Sequence, residues 1–93
     1  MSYIRYKNNN LFVENVSVKR LASKFSSPFY LYSEKSIIEN YKSFSNNFKR
    51  SNPLICFSVK ANSNIQILKI LKKMGSGADV VSGGELLKVL KSG

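Results

Sequence analysis

Leu54-Ile55-Cys56-Phe57-Ser58-Val59 is a nearly all-apolar run that ends abruptly at Lys60, and its reading decides the fold. Such a run suits a parallel strand buried on both faces rather than an alternating, half-wet one. Ser51-Asn52-Pro53 breaks the chain before it, because proline disfavours helix at the preceding residue. After it, Asn62-Ser63-Asn64 supplies a loop and a cap. The next helix carries Ile67, Leu68, Leu71 and Met74 on one side. Gly75 stands where a left-handed residue ends a helix. A short strand, Ala78-Asp79-Val80-Val81, follows Ser76-Gly77. Ser82-Gly83-Gly84-Glu85 then reads as a capping box opening a last helix with Leu86, Leu87, Val89 and Leu90.

Upstream, Leu11-Phe12-Val13 reads as a short strand. Ser17 caps a helix with Val18, Leu21, Ala22 and Phe25 at helical spacing, and Ser26-Ser27-Pro28 stops it. Phe29-Tyr30-Leu31-Tyr32 is aromatic-rich and β-prone. Ser33 caps a second helix with Glu34 in its first turn and Ile37, Ile38, Tyr41, Phe44 and Phe48 on one face. From residue 29 the order is strand, helix, strand, helix, strand, helix, the α/β pattern with parallel strands. The units recur at roughly two dozen residues, the rhythm of a (β/α) barrel, which needs about 250 residues in full. The 93 residues here cover only its first strands.

Composition limits the chemistry. No histidine is present, so histidine triads and histidine metal sites are excluded, and no metal site is expected. The single cysteine, Cys56, forms no internal disulfide and reads as an inert buried thiol, which suits a reducing cytoplasm. No apolar stretch spans a bilayer, and Met1 to Asn8 has no apolar leader region. Fifteen basic against five acidic residues give a net charge of +10. The lysines are scattered, and the Lys69/Lys72/Lys73 spacing marks the wet face of a helix, so no nucleic-acid partner is expected.

In a barrel the reactive side chains lie at the C-terminal ends of strands. Lys60 closes one apolar run, and Asp79 begins the next strand. A buried ammonium is costly, and desolvation favours the neutral, nucleophilic amine. Pattern alone favours Lys60 simply snorkelling into water, because many strands end in a charge. Asp79 reads either as a carboxylate near Lys60 or as a turn residue after Gly77. Ser82-Gly83-Gly84 opens a helix and could bind an anion, though capping already explains it.

Three segments carry a family likeness. Phe57-Ser58-Val59-Lys60-Ala61-Asn62-Ser63-Asn64 resembles the segment around the cofactor lysine of fold-type III pyridoxal-phosphate (PLP) decarboxylases. Gly75-Ser76-Gly77-Ala78-Asp79-Val80-Val81-Ser82-Gly83-Gly84-Glu85-Leu86 is similar to the second signature of the diaminopimelate decarboxylases. Pro28-Phe29-Tyr30-Leu31-Tyr32-Ser33 resembles the strand that leads that family into its barrel.

The resemblance implies the alanine-racemase-like fold: residues 1–32 on the β-domain side and residues 33–93 starting a PLP-binding (β/α)8 TIM-like barrel. It implies Lys60 as the Schiff-base lysine, Asp79 beside the cofactor and Ser58 lining its ring. It also implies decarboxylation of meso-2,6-diaminopimelate to L-lysine by a homodimer whose sites are completed across the subunit boundary. The family's phosphate loop, the acidic partner of the pyridine nitrogen, and a later cysteine and tyrosine fall beyond Gly93. The 93-residue chain alone is therefore expected to be inactive and poorly folded. Phe57 and Ser58 depart from the tyrosine and alanine more usual in the family. An ornithine- or arginine-type decarboxylase, a non-catalytic PLP-binding barrel and a basic RNA-binding fragment are the alternatives.

Overall fold

A computed structural model describes residues 3–93, so the Met1-Ser2 part of the leader reading lies outside the described residues. By contact density the chain divides into two compact units, Met1–Ser36 and Ile37–Gly93.

The first unit holds an antiparallel sheet of β1 (Ile4–Lys7), β2 (Asn10–Val13) and β3 (Val16–Ser17), in that order. Asn8 and Asn9 join β1 to β2 with φ of 51° and 64°. Two successive positive φ values match the right-handed twist of a hairpin, and asparagine tolerates them better than most residues. The Asn8–Asn10 tract is thus a turn, and β1 is a strand beyond those expected from the sequence. Glu14, at φ 56°, turns the chain into β3. Helix α1 (Val18–Lys24) starts where expected, with Ser17 Oγ accepting from the Arg20 amide at 3.3 Å.

Phe29–Tyr32 is irregular rather than a strand. Its β propensity finds no ladder among the described residues, and Tyr30 is 89% exposed. Propensity without a partner leaves the backbone unpaired, which is why it yields no strand.

Helix α2 (Glu34–Asn46) begins at Ser33, whose Oγ accepts from the Ser36 amide at 3.1 Å. The same hydroxyl donates to Glu14 Oε2 at 2.8 Å, and that carboxylate accepts from the Lys35 amide at 3.3 Å. Glu14 therefore reaches from a sheet turn to cap a helix far along the chain. The Ser33 hydrogen bond holds its carboxyl below the ordinary glutamate value of 4.5. A lowered folded pKa means the contact contributes fully above 4.5 and is lost as pH falls through the lower value. We predict that Lys35 amide protection, corrected for intrinsic exchange, falls across that acidic range. Glu14→Gln should remove this pH dependence, as followed by hydrogen exchange.

In the second unit a 3-10 turn, Lys49–Ser51, is closed by Asn52 in the left-handed region, φ 46°. Strands β4 (Cys56–Ser58) and β5 (Gly77–Asp79) pair in parallel, and α3 (Ile65–Lys73) and α4 (Gly83–Ser92) pack together. Both strands are shorter than expected. Leu54 is 78% exposed and Cys56 is exposed, so the run is not buried on both faces here, and the buried-thiol reading of Cys56 is corrected. Among the described residues only Val59, Ile67, Leu68 and Leu71 are buried apolar side chains. A single parallel pair with helices cannot cover both faces of a strand.

Helix α3 ends as its sequence requires. Gly75 takes φ +91°, its amide reaches the Lys72 carbonyl at 2.9 Å, and the Ser76 amide reaches the Leu71 carbonyl at 3.0 Å. That is a Schellman ending, open to glycine at no steric cost. At α4 the Glu85 amide donates to Ser82 Oγ at 3.1 Å, and Glu85 Oε1 accepts from the Val81 amide at 3.2 Å. The reciprocal cap is present, one residue offset on the return bond.

Candidate active site

Because β4 and β5 are parallel, their C-terminal ends lie together. Ser58 and Asp79 are register partners, and both are the last residues of their strands. Asp79 thus ends its strand instead of beginning it. The shift has a local cause at Gly77, whose amide donates to the Ile55 carbonyl at 2.8 Å. A Cβ there would lie 2.8 Å from Cys56 Sγ, closer than real Cβ contacts allow. Glycine lets pairing start at residue 77, and the strand closes on the carboxylate at its third residue.

Lys60 follows Ser58 by two residues, inside a 3-10 turn (Val59–Ala61) closed by the Asn62 amide on the Val59 carbonyl at 3.1 Å. Val59 is fully buried, at 0% exposure, and fixes the backbone immediately before the lysine. Lys60 itself is exposed, so these residues do not supply the burial that its place after an apolar run suggests.

The chain beyond Lys60 is also tied down. Asn62 Oδ1 accepts from the Asn64 amide at 3.0 Å, and Asn64 Oδ1 caps α3 by accepting from the Gln66 amide at 2.9 Å. Lys88 Nζ, on α4, donates to Ser63 Oγ at 3.1 Å. That last tie is not legible in the sequence, because helical spacing marks Lys88 only as a polar position.

Ser58 and Asp79 thus stand side by side at the strand ends, with Lys60 two residues further along the chain. A primary amine on a fixed backbone can add to an aldehyde carbonyl. A cavity of about 180 Å³ lies elsewhere, lined by residues including Phe57, Leu68, Leu71 and Val89, and none of the three residues lines it. The Ser82-Gly83-Gly84 turn is occupied as a cap, as expected from its box. Among the described residues no histidine, cysteine and carboxylate cluster is arranged for a metal, and no helix is long and apolar enough to cross a membrane.

Over its whole length the chain is 43% identical to diaminopimelate decarboxylase of Haemophilus influenzae. Over 83 residues, 89% of the chain, it is 46% identical to that of Neisseria meningitidis serogroup B. It spans about a fifth of these relatives, 22% and 20% of their lengths. Among solved structures, a protein of Aquifex aeolicus superimposes with a TM-score of 0.90 at 43% identity, covering 97% of this chain and 22% of that one. Diaminopimelate decarboxylase from M. jannaschi gives 0.88 at 38% identity with the same coverage. Residues 34–93, well over half the chain, match the profile of the pyridoxal-dependent decarboxylases at their pyridoxal binding domain. The chain belongs to that family, whose cofactor is pyridoxal phosphate.

Proposed function

We propose that this chain is the opening part of a PLP-dependent carboxy-lyase converting meso-2,6-diaminopimelate to L-lysine and carbon dioxide. In this reading residues 1–32 belong to the β-domain side and residues 33–93 begin the (β/α) barrel. The whole enzyme works as a homodimer in cytoplasmic lysine synthesis. The observation that carries the reading is the exposed Lys60 amine, held just past the paired strand ends Ser58 and Asp79. The relatives' name, diaminopimelate decarboxylase, supports diaminopimelate as the substrate.

The donor set fits the cofactor: one amine for covalent attachment, one carboxylate and one hydroxyl at the mouth of parallel strands, where barrel enzymes place their chemistry. Bound pyridoxal phosphate supplies the electron sink that takes up charge from the substrate's α-carbon as carbon dioxide leaves. Lys60 would hold the cofactor through its amine. Asp79 would contribute a carboxylate and Ser58 a hydroxyl to the cofactor's surroundings. The buried Val59 keeps Lys60 from drifting, since a displacement of about 1 Å can cost on the order of 100-fold in rate.

Carbon dioxide release by the full-length enzyme tests the substrate. Diaminopimelate should exceed ornithine and arginine in kcat/KM by at least about a hundredfold, because a site built to bind a polar group strongly rejects analogues lacking it. A preference for ornithine or arginine would move the protein to the related decarboxylases. Cofactor binding with no carbon dioxide from any of the three would favour a non-catalytic barrel.

A further inference from the structure

The geometry points to Lys88 as a positioning residue that clamps together the two strand-to-helix connections carrying Lys60 and Asp79. This deepens the proposed function and rests on Lys60 being the attachment lysine. Lys88 lies on α4, the helix that follows Asp79, capped at Ser82. Its Nζ donates at 3.1 Å to Ser63 Oγ, three residues beyond Lys60 on the other connection. On one side of Lys60 the chain is fixed by buried Val59. On the other, among the described residues, the Asn62 and Asn64 side chains bond within their own loop and helix. The Lys88 bond adds a direct side-chain link from that loop to the neighbouring strand–helix unit, beyond the packing of α3 on α4, and so bears on where the loop sits relative to Asp79.

Lysine suits this role because its long stem spans from the helix to the loop, while its three donors accept a range of approach angles. The bond is exposed, so its effect on overall folding is small. Its consequence falls on the placement of Lys60.

The test compares Lys88→Met, Lys88→Arg, Ser63→Ala and the Lys88→Met/Ser63→Ala double variant in the full-length enzyme, with Lys60→Ala alongside. Cofactor affinity and the pH midpoint of the bound cofactor's absorbance are read by spectroscopic titration. Thermal unfolding is read on the cofactor-free protein. Lys88→Met should bind pyridoxal phosphate about three- to tenfold more weakly and displace the pH midpoint, with the cofactor-free melting temperature unmoved. Arginine should restore both, and the double variant should be no worse than either single one. Native affinity and midpoint in Lys88→Met would overturn the inference, as would a lowered melting temperature with cofactor binding intact. If Lys60→Ala keeps the native cofactor absorbance, the functional reading itself fails. If Lys60→Ala loses it while Lys88→Met keeps native affinity and pH midpoint, only the positioning role fails.

Discussion

Lys60→Ala in the full-length enzyme is expected to abolish covalent attachment of pyridoxal phosphate and to lower decarboxylation by at least about a thousandfold, or about 4 kcal/mol of transition-state stabilisation. Removing the residue that forms the covalent link in other enzymes costs as much or more, on the order of 10⁶. The size of the effect separates function from folding. Among the described residues Lys60 is exposed, and where a position stays exposed a substitution ordinarily changes stability by no more than about 0.5 kcal/mol. A large loss of activity with an unchanged melting temperature of the cofactor-free protein is therefore the expected pair of results. Absorbance and circular dichroism of the cofactor band, followed with the melting curve, check both. Retention of the native band after this substitution would remove the lysine from its assigned role.

The second large effect concerns the 93 residues by themselves. They are expected to show no decarboxylation, no sharp unfolding transition and strong binding of an apolar dye. Four buried apolar side chains among the described residues make a very small core. Leu86, Leu87 and Leu90 of α4 are 47%, 62% and 66% exposed, and Val81 and Leu54 are 68% and 78% exposed. Burying one such leucine is worth about 1.5–3 kcal/mol, so leaving several in water forgoes an amount comparable to the whole stability of a small domain. Among the described residues the β4–β5 pair also has two unpaired edges within its own sheet. Calorimetry and dye fluorescence measure this directly. A single cooperative transition with little dye binding would contradict it.

These exposed leucines also show why part of the fold is legible in the sequence and part is not. Signals that act within a few residues are readable: Ser17, Ser33, Asn64 and Ser82 all cap helices, and Gly75 ends one through its positive φ. Each depends on one side chain and the next few amides. Signals that need a distant partner read less well. Phe29–Tyr32 has the propensity of a strand but no ladder, and the run from Leu54 promises burial when only its middle pairs. Conversely, Asn8-Asn9 holds a hairpin signal that looks like a plain polar tract, because paired asparagines mark that turn less often than asparagine–glycine. Glu14 could not be foreseen as a cap for α2, since Ser33 lies 19 residues away.

At the site, the lysine stands out by its position after an apolar run, and its backbone setting bears on that choice. The register that puts Asp79 opposite Ser58 is not available from spacing, because it follows from a close approach between Gly77 and Cys56. Lys88 is invisible for a related reason: a helical polar position says nothing about which loop it meets.

The central claim is that the cofactor is carried by Lys60, and it can be read chemically. The full-length enzyme is loaded with pyridoxal phosphate, reduced with borohydride, digested, and its modified peptide identified by mass spectrometry. The label is predicted on the peptide containing Phe57-Ser58-Val59-Lys60-Ala61-Asn62, at the lysine. A label confined to another lysine, such as Lys69, Lys72 or Lys88, would contradict the claim.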